Sequence, residues 1–77
     1  MNRKIKLLWD FRGEDASKTA KHHTQHLREF AQVEVLNFYK IDVENKNAMF
    51  SSAVITIDEI DLKIYKDKLK PHRGELV

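Results

Sequence analysis

The stretch Asp58-Glu59-Ile60-Asp61-Leu62-Lys63-Ile64-Tyr65-Lys66-Asp67-Lys68-Leu69-Lys70 admits two readings, and the choice between them sets the fold. As a helix it is capped by Asp58, stopped by Pro71, and buries Leu62, Tyr65 and Leu69 on one stripe. As a strand it alternates, with Ile60, Leu62 and Ile64 set against Asp61 and Lys63. The strand would need a very tight turn at Asp58-Glu59, where no Gly or Asn supplies a positive φ. Helix is therefore the expectation over 59–69. The alternative is a βαβββ chain with one main helix.

Upstream the pattern is clearer. Lys4 to Phe11 alternates, placing Ile5, Leu7, Trp9 and Phe11 on one face and Lys4, Lys6, Leu8 and Asp10 on the other, which predicts a strand. Arg12-Gly13-Glu14-Asp15 breaks the alternation, with Gly13 allowing the turn and Asp15 placed to cap a helix. From Ala16 to Ala31 the period becomes helical: Ala16, Ala20, His23, Leu27, Phe30 and Ala31 share one face. Val33 to Val43 is rich in strand formers. Glu44-Asn45-Lys46-Asn47 is expected to close a hairpin, and a third strand is expected from Ala48 to Ile57. After the ambiguous stretch, Pro71 to Gly74 reads as a turn and Glu75 to Val77 as a short last strand. The order β-α-β-β-α-(β) is the split βαβ, ferredoxin-like sandwich, an α+β arrangement in a single domain. That name describes shape and says little about chemistry.

Composition narrows the classes. At 77 residues the chain is one domain, and a chain this short buries only about 60% of its unfolded surface. Small domains often gain stability from disulfides, metals or a second subunit. With no cysteine, disulfides and thiolate metal sites are excluded. The 14 basic and 12 acidic side chains are interleaved and sum to +2, too weak a balance to announce a nucleic-acid partner. Two Gly and one Pro argue against phosphate-cradling loops. Neither a signal-peptide pattern nor a run of membrane-spanning length is visible, so a cytoplasmic protein without membrane association is expected.

Four groups of residues could carry function. Leu8, Leu36, Phe38, Phe50 and Val54 are expected on the sheet face away from the helices, a patch suited to homodimerisation. Asp10, Arg12, His72 and Arg73 are expected at one end of the domain. There Arg12 and Arg73 would hold a small anionic ligand, and Asp10 with His72 would serve acid–base chemistry. His23, on the apolar helix face, is a third acid–base candidate or a core histidine. His22 and His26, at i and i+4, can reach one metal, although no third ligand comes after them at a matching spacing.

No cofactor motif is present. The leading reading is a small homodimeric domain that binds a small anionic ligand or a protein partner. The second is an acid–base enzyme acting on a small anion through Asp10, His72 and Arg73. Nucleic-acid binding through Lys63, Lys66, Lys70 and Arg73 comes last, since Glu59, Asp61 and Asp67 dilute that field.

Overall fold

The computed structural model describes residues 3–77. Its elements are β1 (Lys4–Arg12), α1 (Ala16–Val33), β2 (Lys40–Asn47), β3 (Phe50–Asp58), a 3-10 turn (Glu59–Asp61), α2 (Leu62–Leu69) and β4 (Arg73–Leu76). The strands form one antiparallel sheet in the order β2-β3-β1-β4, with β1 between β3 and β4. Element order and strand order together are those of the ferredoxin-like α+β arrangement. The helical reading of the deciding stretch holds, with its first three residues tightened into the 3-10 turn.

Alternation along β1 puts Ile5, Leu7 and Trp9 into the core, where they meet Ile57, Ile55 and Ala53 of β3 in register. Helix α1 covers this face with Ala16, Ala20, Leu27 and Ala31 buried; the alanines let the helix approach the sheet closely. Tyr65 anchors α2. It is fully buried, its ring lies 5.6 Å from that of Phe30, and its hydroxyl faces the Asn37 carbonyl at 3.4 Å. A second tie comes from the Trp9 indole, which donates to the Leu69 carbonyl at 2.9 Å and fixes the end of α2 over β1.

Several boundaries differ from the sequence reading. The last strand begins at Arg73, inside the expected Pro71–Gly74 turn, and ends at Leu76, and the third strand begins at Phe50. Val33 to Phe38 is not strand: α1 continues through Val33 and ends in a Schellman turn. Leu36 N–H donates to Ala31 C=O at 2.8 Å and Val35 N–H to Gln32 C=O at 3.3 Å. Leu36 then packs on the core as the hydrophobic partner of that turn. Strand β2 begins later and runs through the polar residues expected to turn; the turn itself is Ala48–Met49. Asp15 and Asp58 stand at the N-cap positions, but neither side chain caps a helix; Asp58 accepts instead from the Tyr39 hydroxyl.

Candidate functional site

Asp10 sits near the end of β1 on the face opposite the helices, directly across from Ser52. Its carboxylate is held by three donors: Ser52 Oγ at 2.7 Å, Arg73 Nε at 2.9 Å and Arg73 Nη2 at 3.1 Å. The guanidinium fork matches the carboxylate, and Arg73 also reaches Glu75 at 3.3 Å. Burial opposes the charge on Asp10, but the Arg73 and Ser52 hydrogen bonds outweigh it and hold its pKa below the usual carboxylate range.

His72 is close by, in a different relation from the expected one. Its ring Nδ1 accepts from the Asp10 backbone N–H at 2.8 Å, while its own backbone N–H donates to Leu8 C=O at 2.9 Å. The imidazole nitrogen thus takes the place of a strand carbonyl as acceptor and extends the β1–β4 ladder by side chain. An accepting Nδ1 leaves the ring proton on Nε2. Asp10, His72 and Arg73 are thus brought together, but the carboxylate is filled by Arg73 and Ser52 and makes no hydrogen bond to the imidazole. Arg12 is drawn away, its guanidinium lying 4.4 Å over the Phe50 ring.

His23 is wedged against Trp9 and Phe11, with ring centroids at 5.0 and 5.6 Å. Its Nε2 is buried without a hydrogen-bond partner among the described residues. Burial, reinforced by the neighbouring His26, His72 and His22, lowers its pKa, so the ring is neutral in the fold. His22 and His26 lie on the exposed side of α1 with their Nε2 atoms 3.1 Å apart. Among the described residues, no group of three or more His, Cys, Asp or Glu converges as a metal centre.

The sheet face away from the helices is more polar than the sequence reading placed it. Leu8 and Val54 do lie on it, but only 1% and 4% of their surface is exposed. Around them run Lys6–Glu44 at 2.8 Å, Lys46–Glu44 at 3.2 Å and the Asp10–Arg73–Glu75 cluster, whose long stems close over the aliphatic side chains. Leu36 and Phe38 precede β2 and are not part of this face, because Leu36 is taken up by the helix stop. Phe50 sits at its corner beneath Arg12.

A feature with no signal in the sequence is the groove between α2 and β4, about 390 Å³ in volume. Ile5 and Leu7 form its floor, Leu62 and Lys66 one wall, and Pro71 to Leu76 the other. It exists because β4 presents Gly74 toward the helices. A Cβ there would stand 3.6 Å from Leu7 Cδ2, within the space that is now open. Lys66 makes no ion pair among the described residues, and His72 lies on the same rim. The groove could only be found once the β1–β4 register brought Gly74 opposite Leu7, 67 positions away in the chain.

No helix among the described residues is long and apolar enough to cross a membrane. Comparison with known proteins supplies no relative: no family model, no curated protein and no solved structure matches the chain.

Proposed function

We propose that the protein is a binding module for a small amphipathic anion, seated in the groove between α2 and β4. The observation that carries this reading is the groove's composition. An aliphatic floor of Ile5 and Leu7 is bordered by Leu62 and Leu76, with the Lys66 ammonium and the His72 imidazole at the rim. Sites for small molecules combine an apolar lining with a few placed polar groups in this way. An alkyl carboxylate fits: its tail lies over Leu7 and its head meets the Lys66 ammonium. Arg73 is shared between the Asp10 and Glu75 carboxylates, so Lys66 is the cation that remains for the ligand. The Arg73 fork stays engaged with Asp10 and Glu75.

Octanoate and 1-octanol, titrated into isotopically labelled protein, test the reading. Octanoate is expected to shift the signals of Leu7, Lys66 and Leu76, and octanol to do so more weakly. Lys66→Glu should weaken octanoate and leave octanol unchanged. Gly74→Val should remove both by filling the groove; its β-carbon makes only ordinary contact with Leu7, and unchanged amide dispersion away from the groove checks that the fold is retained. Equal binding of the two probes would refute anion recognition, and no shift at the groove would refute the site.

A further inference from the structure

On the exposed side of α1, away from the groove, His22 and His26 face each other edge to face, with an interplanar angle of 83° and Nε2···Nε2 of 3.1 Å. Positions i and i+4 are neighbours on one helix face, so the backbone holds the two rings together before any ligand arrives. In the metal-free protein one Nε2–H donates to the other Nε2. A metal ion can take the place of that shared proton.

The distance fits. Imidazole nitrogens bind zinc at about 2.05 Å, and two such bonds ending 3.1 Å apart enclose an angle of about 98°. That lies between the square-planar and tetrahedral values. We infer that His22 and His26 chelate one divalent transition cation of the imidazole-preferring class, Zn²⁺ or Cu²⁺, with water completing the coordination. Binding requires a lone pair on both Nε2 atoms. The ring that carried its proton there takes the Nδ1–H tautomer, so neutral rings bind the ion without net proton release. His23 is not a ligand: it is wedged between Trp9 and Phe11, with its ring centroid 6.5 Å from that of His26.

The test is titration of the whole protein with zinc chloride, read by calorimetry and by the ring-nitrogen resonances of the four histidines. Wild type is expected to bind one Zn²⁺ per chain, with shifts at His22 and His26 Nε2 and none at His23 or His72. His22→Ala and His26→Ala should each lose the shifts at the remaining ring; both sites are exposed and alanine favours helix, so both variants should fold. Magnesium, which prefers oxygen ligands, should give no signal. One zinc per two chains with the same two rings shifted supports the same chelate, completed by a second copy. Absence of zinc binding, or binding that survives either alanine substitution, overturns the inference.

Discussion

Val35 has φ of 54° and is 87% exposed, so a β-branched side chain occupies the left-handed conformation and buries almost nothing in return. It stands at the first position past the C-cap of α1, where glycine is the usual residue. The left-handed region costs an L-residue roughly 1–2 kcal/mol through the clash of Cβ with the carbonyl. Glycine removes that cost but gives up about 0.5–1 kcal/mol of unfolded-state entropy. Val35→Gly should therefore stabilise the protein by about 0.8 kcal/mol, the middle of a span of roughly 0–1.5 kcal/mol, or about 3–6 °C in Tm for a chain of this size. Urea unfolding followed by the fluorescence of Trp9, the one tryptophan, measures it directly. Val35→Ala is the control, since alanine keeps the Cβ and should gain much less. Equal gains from the two substitutions, or a Val35→Gly protein no more stable than wild type, would refute the strain argument.

The packing and the charges set further expectations. Tyr65→Ala should cost about 3–5 kcal/mol by emptying the contact with Phe30, whereas Tyr65→Phe should cost under about 1 kcal/mol because the hydroxyl contact is long; equal losses in urea melts would contradict this. Burial, then the nearby Asp61 charge, pushes the Tyr65 phenol up to about 12. The unfolded chain ionises it near 10, so stability should fall as pH rises from about 10 toward 12, and Tyr65→Phe should flatten that fall. His23 behaves in the opposite direction. Its pKa is lowered in the fold, so the unfolded chain takes up the proton first and stability should decline as pH falls below about 6.5. Urea midpoints of a His23→Phe variant should show a shallower decline. Finally, His72→Ala removes the acceptor for the Asp10 amide, which should then exchange with solvent markedly faster; unchanged protection would show that the ring contributes nothing to the ladder.

The residues that declared themselves in the sequence are those whose pattern is enforced by one neighbour over many positions. Ile5, Leu7 and Trp9 alternate because one face of β1 is core along its length, and Ala20, Leu27 and Ala31 repeat because α1 lies flat on that core. Val33 to Phe38 misled because strand formers also serve to end a helix: Leu36 is apolar for the sake of a turn. Polar β2 was obscured for the complementary reason. It is an edge strand in which Ile41 and Val43 face inward while Lys40, Asp42 and Glu44 carry the charge lattice outside. Of the candidate sites, the meeting of Asp10, His72 and Arg73 was legible from topology. How they pair was not, because it turns on which atom of Asp10 the imidazole reaches. The groove depends on a missing side chain opposite Leu7, and absence at a distant register position leaves no local trace.

The central place of β1 has a consequence for synthesis. Of the four strands β1 is made first, and both β3 and β4 must find it, while β2 pairs with β3 alone. Strand β1 has no strand partner until β3 has been translated and has cleared the ribosomal exit. At roughly 5–20 residues per second, the 46 residues from Arg12 to Asp58 take about 2–9 s. Over that interval the nascent chain offers an amphipathic strand with no neighbour, and α1 is the one element made early enough to shelter it. Closure waits further for β4, whose four residues come last and seal the other side of β1. The sheet around β1 is therefore completed only once β4 has been made, whatever local structure α1 and the β2–β3 hairpin form before it.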